Sequence, residues 1–240
     1  MNAWSRRRKR IISLIVFVAL IVLVGLPSYF LLYRAPTCTD GRLNGTETGV
    51  DCGGSCQLIC TAESLPLIVK GDPQVLKVAD NIFEVVALVE NPNASADVYR
   101  AGYIFKIYNA ASSTPIKVIE GDTYVPKGMT FAVFEGPFNM EEVGATRAAF
   151  EWKTESLVWR KNDTLIPQLA IRDLNFSGKS TRPRLTATIE NSSLENVSNI
   201  DLVSVIYDQD GNVSASSRTF LDFLPAGGSA PITYTWPRPF

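Results

Sequence analysis

Histidine is absent from all 240 residues. Without an imidazole there is no Ser-His-Asp or Cys-His machinery, no histidine-ligated zinc and no histidine pH switch, which removes most common hydrolase mechanisms. Neither Ser-x-x-Lys nor Gly-x-Ser-x-Gly occurs in their place, and no acidic pair stands out from the loops. The expected catalytic set is therefore empty. Charge is missing from residues 11–33, and helical periodicity is missing everywhere beyond that run. Cysteine is scarce, with 4 in the chain, all within residues 38–60. The formal net charge is −1, and setting aside the five cations of residues 6–10 leaves −6, a balance that argues against nucleic acid as a partner.

What is present begins with Arg6-Arg7-Arg8-Lys9-Arg10 and the uncharged run behind it. At about 1.5 Å per helical residue, the 23 residues of that run cover the roughly 30 Å hydrocarbon core of a bilayer. Five cations precede it and only Arg34 follows closely. The positive-inside rule then makes residues 1–10 a cytoplasmic tip, residues 11–33 the transmembrane helix of a single-pass cell-membrane protein, and residues 34–240 extracytoplasmic. A cleaved signal peptide is the rival reading, but its apolar region would run about 7–15 residues to an A-x-A-like site. Here the dense part, residues 11–26, is 16 long and no good site follows. Pro27 is expected to kink the helix or mark its last turn, Tyr29 and Tyr33 to suit the outer interface, and Trp4 the inner one.

The cysteines have the spacing C-x13-C-x3-C-x3-C at Cys38, Cys52, Cys56 and Cys60. Outside the cytoplasm such a cluster is read as disulfides, because a short segment poor in apolar residues needs bridges to hold a shape. Two bridges are expected, with three pairings open; a thiolate zinc site is the alternative and lacks CxxC-like pairs. Asp40-Gly41, Asn44-Gly45 and Thr48-Gly49 recur every four residues and favour successive turns. If those turns bring oxygens together, Asp40, Asn44, Glu47 and Asp51 form a candidate calcium set, since that cation takes six to eight oxygen ligands. The EF-hand spacing is not met, and the competing reading has these side chains capping their own backbone. No other cofactor is expected. The pattern Asp40-Gly41-x-x-Asn44-Gly45-x-Glu47-Thr48-x-x-Asp51-Cys52-Gly53-Gly54-x-Cys56 resembles a short Cys-rich motif of microbial surface proteins. The resemblance implies a prokaryotic surface protein and carries no settled activity.

Past the cysteines the chain repeats itself at offsets of 99 to 102 residues. Ser64-Leu65-Pro66-Leu67-Ile68-Val69 is echoed by Leu165-Ile166-Pro167-Gln168-Leu169-Ala170-Ile171, and Leu88-Val89-Glu90-Asn91 by Thr188-Ile189-Glu190-Asn191. Phe105-Lys106-Ile107-Tyr108-Asn109 matches Ser204-Val205-Ile206-Tyr207-Asp208, Tyr124-Val125-Pro126-Lys127-Gly128 matches Phe223-Leu224-Pro225-Ala226-Gly227, and Gly136-Pro137-Phe138 matches Arg238-Pro239-Phe240. Matches kept in order argue for two copies of one domain, residues 63–160 and 161–240, behind a disulfide module of residues 34–62. Within each copy the apolar residues alternate, as in Tyr103, Phe105 and Ile107 against Lys106, and Asp210-Gly211 marks a hairpin bend. Short strands separated by Gly, Pro, Asn and Asp favour an all-β fold of two tandem β-sandwiches. The first copy continues through Ala148-Ala149-Phe150-Glu151-Trp152 and Leu157-Val158-Trp159, one or two further strands that the second copy lacks up to Phe240. Either the chain is truncated there or a partner supplies the strand, since an unpaired edge is a hazard that proteins usually cover.

Phe105-x-Ile107-Tyr108-Asn109, after a strand ending Val89-Glu90-Asn91-Pro92, resembles the signature of FxLYD-type domains of prokaryotic envelope proteins. The second copy is similar but has Ser204 in place of the leading Phe. The resemblance implies immunoglobulin-like sandwiches at a cell surface, with no shared catalytic residues. The expected function is thus a non-catalytic, membrane-anchored extracytoplasmic protein with a structural, adhesion or protein-interaction role. Its partners would be the membrane and an envelope or cell-surface protein. The alternatives are a subunit of an envelope complex whose partner completes the second sandwich, and an envelope enzyme without histidine. Trp152 and Trp159 are read as a carbohydrate platform or as core, with core the simpler role. Trp236-Pro237-Arg238-Pro239-Phe240 is read as a polyproline segment or as ordinary domain fabric. Seven N-x-S/T sequons, among them Asn93 and Asn191, read as loop residues rather than glycan sites in a bacterium.

Overall fold

The structure, a computed structural model, describes residues 3–32, 35–109, 112–141 and 145–239. It divides into two compact units, Met1–Cys56 and Gln57–Phe240.

In the first unit α1 (Ala3–Leu20) passes through a π-helical stretch (Ile21–Gly25) into α2 (Leu26–Leu32). The wide turn sits against Pro27, whose ring crowds the carbonyl one turn earlier and has no N–H to offer it. Arg7–Tyr29, 23 residues holding an 18-residue window of mean hydropathy 2.8, is long and apolar enough to cross a membrane. The helix begins at Ala3 rather than at residue 11, because Arg and Lys are good helix formers and nothing before Arg10 breaks the ladder. Tyr33 and Arg34, expected at the outer interface, lie outside the described residues.

The second unit is built of β-strands, in chain order β1 (Ile68–Ala79), β2 (Ile82–Glu90), β3 (Ala96–Asn109), β4 (Lys117–Val125), β5 (Thr130–Asn139), β6 (Ala145–Trp152), β7 (Arg160–Lys161), β8 (Leu169–Ser177), β9 (Arg184–Asn191), β10 (Val197–Tyr207), β11 (Val213–Leu224) and β12 (Ser229–Thr235). All described pairings are antiparallel. The first repeat has one sheet in the order β1-β2-β5 and another in the order β4-β3-β6, with β7 on the start of β3. The second has β8-β9-β12 and the pair β10-β11. Alternation puts Tyr103, Phe105 and Ile107 inside, where Tyr103 and Phe105 meet Val85, Val89 and Val133, while Lys106 turns outward to Glu151 on β6 at 2.7 Å. Trp159 is buried in a neighbouring cluster with Val98, Ala101 and Val125. In the second repeat Leu185, Ile189, Ile200, Leu224, Tyr234 and Trp236 fill the centre. Trp236 donates its indole N–H to the Ser216 carbonyl at 2.7 Å, so this aromatic is domain fabric. The Asp210-Gly211 bend is closed by Asp208, whose Oδ1 accepts the amides of Asp210 and Asn212 at 3.0 and 2.8 Å.

The two repeats share working parts as well as letters. Asn91 and Asn191, each 1% exposed, end β2 and β9. Asn91 donates its side-chain amide to the carbonyls of Ala96 and Pro126 at 2.9 and 2.8 Å, and accepts the Asn93 amide at 3.0 Å. Asn191 does the same with Glu195, Pro225 and Ser193 at 2.8, 3.0 and 3.1 Å. Each clamp ties the end of one strand to the Pro-x-Gly turn two strands later, where Gly128 and Gly227 take the left-handed φ values of 58° and 65°. Lys70 with Glu90 and Arg172 with Glu190 form matching ion pairs. Asn191 is thus held inside its repeat, out of reach of a glycosyl group.

Candidate functional site

In the first unit the cysteine segment is held by bridges. Cys38 and Cys56 are joined, with Cα atoms 5.6 Å apart. Cys52 is disulfide-bonded as well, as is Cys60 of the second unit, and no cysteine is free. The candidate calcium oxygens are engaged with their own turns. Asp51 accepts the Gly41 amide on both carboxylate oxygens at 3.1 and 3.0 Å. Asp40 accepts the Arg42 amide at 2.9 Å and the Asn44 side-chain amide at 2.8 Å, and the Asn44 bond is the main reason its carboxyl lies below the ordinary carboxylate range. Glu47 accepts the Asn44 amide at 3.2 Å. Among the described residues the one group of three converging ligand types is Cys38, Glu47 and Cys56, where both sulfurs are spent in the bridge. Gly54 shapes the same loop: at φ +52° a Cβ there would stand 1.7 Å from the Thr46 carbonyl oxygen.

In the second unit a buried carboxylate joins the two repeats. Glu84 of β2, 6% exposed, accepts the backbone and hydroxyl hydrogens of Ser216 on β11 at 3.2 and 2.8 Å. Burial pushes the Glu84 carboxyl up, and the two Ser216 hydrogen bonds pull it back only partly. Arg238 pairs with Asp80 nearby in sequence to this joint, lowering the Asp80 carboxyl through that hydrogen bond. The linker is pinned too: Lys127 donates to the carbonyls of Asn162 and Thr164, and the Asn162 side chain donates to Asp97. Burial and an Asp97 hydrogen bond at 2.8 Å push the Tyr124 hydroxyl up. Inside the first repeat, burial and a 2.8 Å bond to Glu135 do the same to Tyr103. Tyr234, in the second, is pushed up to about 12 by burial. The hydroxyls of Tyr103 and Tyr124 act as fasteners.

The outer edge of β10 is an open sheet edge among the described strands. In the first repeat β3 is central, paired with β4 on one side and with β6 on the other, where Tyr103, Phe105 and Ile107 face Trp152, Phe150 and Ala148. Phe105, Phe150 and Trp152 form one aromatic cluster, tilted and then edge-to-face, with successive ring centroids 4.9 Å apart. In the second repeat β10 pairs with β11 alone among the described strands. Leu202, Ser204 and Ile206, in the places of Tyr103, Phe105 and Ile107, are only half-buried. The opposite sheet is bare in the corresponding place. Ile171, across from Ile189 as Val69 is across from Val89, is 49% exposed, and Leu174 is 65% exposed.

Sequence reasoning brings Cys38, Cys52, Cys56 and Cys60 into bridges, as the structure does. It also matches the letters around Asn91 and Asn191. It misses what those asparagines hold, although two matched motifs at one offset were a usable signal. It misses Glu84 entirely, because a glutamate between Phe83 and Val85 reads as a solvent-facing strand residue. No family model matches the chain, and no curated protein matches it.

Proposed function

We propose that the chain is a single-pass, membrane-anchored extracytoplasmic protein, its N-terminus cytoplasmic, with a structural, adhesive or protein-interaction role and no catalytic one. The observation that carries this reading is the order of two features: a membrane-length apolar helix behind five cations, and, directly after it, a segment whose cysteines are all oxidised. Disulfides persist in oxidising compartments, and the positive-inside rule sends the cationic end the other way. The similarity of the cysteine segment to microbial surface motifs, and of residues 65–240 to FxLYD-type sandwiches, supports the same placement. The buried polar groups point the same way in kind: Asn91, Asn191, Glu84 and Ser216 spend their hydrogen bonds on strands, turns and the joint between repeats.

Topology mapping tests this reading. The chain is expected to stay with membranes through alkaline carbonate extraction, to lose residues 34–240 to externally added protease, and to take up thiol label only after reduction. Release as a soluble protein, or labelling without reductant, contradicts it.

A further inference from the structure

The geometry points to one face of the first turns of α1 as a seat for an anionic phospholipid, its phosphate held by Arg7 and Arg8 and its acyl chain lying along Ile11 and Ile12. This inference rests on the membrane-anchored reading above and names the lipid class that the anchor takes. An α-helix closes a turn every 3.6 residues, so positions 4, 7, 8, 11 and 12 share a face. Trp4, Arg7, Arg8, Ile11 and Ile12 together line a groove of 530 Å³, and Lys9 and Arg10 are not part of that lining. Arg7, Arg8, Lys9 and Arg10 are all exposed. The first carboxylate in the chain is Asp40, so no acid within residues 1–39 neutralises them.

Depth selects the partner. The uncharged run begins at Ile11, so Ile11 and Ile12 mark the rim of the hydrocarbon. At about 1.5 Å per residue Arg7 and Arg8 stand roughly 5 Å further out, inside a headgroup layer roughly 5–7 Å thick. Trp4, about one turn beyond, ends the groove on the cytoplasmic side. The Arg8 guanidinium lies over the Trp4 ring, 5.4 Å from its centroid. A guanidinium held over a ring still presents its N–H fork in its own plane, and that fork matches two phosphate oxygens. A zwitterionic headgroup brings an ammonium to the same place and cancels its own phosphate. A headgroup without one keeps its negative charge for the two arginines, which makes the occupant an anionic phospholipid such as phosphatidylglycerol. Free phosphate has the charge but nothing to lay along Ile11 and Ile12.

The test uses the full chain reconstituted into bilayers of phosphatidylcholine with a minor share of phosphatidylglycerol. Native mass spectrometry then reads the lipids that stay on the protein after mild detergent extraction. Phosphatidylglycerol is expected to be enriched at least about fivefold over its share of the bilayer. Arg7→Gln with Arg8→Gln is expected to abolish the enrichment, whereas Lys9→Gln with Arg10→Gln, which removes the same charge from outside the groove, is expected to keep it. The inference is overturned if the unaltered chain shows no enrichment, or if the two double variants are enriched equally, since bulk charge then accounts for the binding. Each variant keeps three of the five cations, so carbonate extraction and protease topology should not change. Release from membranes contradicts the anchoring reading, whereas a chain that stays embedded without enrichment contradicts this inference alone.

Discussion

The two repeats of the second unit use the same asparagine clamp, the same Lys/Arg–Glu pair and the same Pro-x-Gly turn, yet their interiors are closed to different degrees. In the first, β3 lies between two strands and Phe105 and Ile107 are 0% exposed. In the second, β10 has one partner among the described strands and Ile206 is half-buried. The difference separates what builds the fold from what finishes it. Clamps and turns fix the course of each chain segment, while burial depends on whether a strand covers the edge.

The largest effect should come from matched truncations at the two edges. Ile107→Ala is expected to cost about 2–5 kcal/mol in chemical denaturation, as for a fully buried aliphatic residue, and Ile206→Ala clearly less, because part of its surface is already in water. Equal losses would break the comparison. The clamps should behave alike: Asn91→Ala and Asn191→Ala are each expected to cost about 1–3 kcal/mol, since each leaves buried carbonyls without a donor. A silent change at either site would show that the repeats share letters and not mechanics.

The joint between the repeats gives a smaller, pH-dependent effect. Burial raises the native Glu84 carboxyl above its ordinary value of 4.5, so the protonated form favours the folded state. That stabilisation is fully present below 4.5 and is lost as pH rises from there through the raised native value. Glu84→Gln keeps an oxygen for Ser216 and removes the charge. It is expected to raise the unfolding midpoint at pH 7 and to flatten its dependence on pH above 4.5; a lower midpoint at pH 7 would contradict the assignment. The smallest effect concerns the cysteine segment. Because Asp40, Glu47 and Asp51 already hold backbone amides, chelator is expected to leave its melting unchanged. A drop in melting temperature would instead give Asp40, Asn44, Glu47 and Asp51 to a cation.

The parts of this molecule legible in sequence are those written in local order. An uncharged run gives a helix, alternation gives strands, clustered cysteines give bridges, and an ordered offset gives a repeat. Asn91 and Asn191 were visible as letters, but their bonds reach Pro126 and Pro225 across distances in the chain that no local pattern spans. Glu84 was hidden for a different reason. Period-two alternation puts it on the outer face of its sheet, and it is buried because the second repeat covers that face through Ser216. The turn oxygens of the cysteine segment show the reverse case, where composition alone admits both a cation and a capped backbone and only geometry shows which atoms each carboxylate faces.

Amide exchange in the full chain, with nothing added, tests the contrast between the repeats most directly. The amides of residues 103–108 on β3 should all exchange slowly, whereas alternate amides of residues 202–207 on β10 should exchange fast, because one edge of that strand lacks a partner among the described strands. Uniform slow exchange along both stretches would contradict the account.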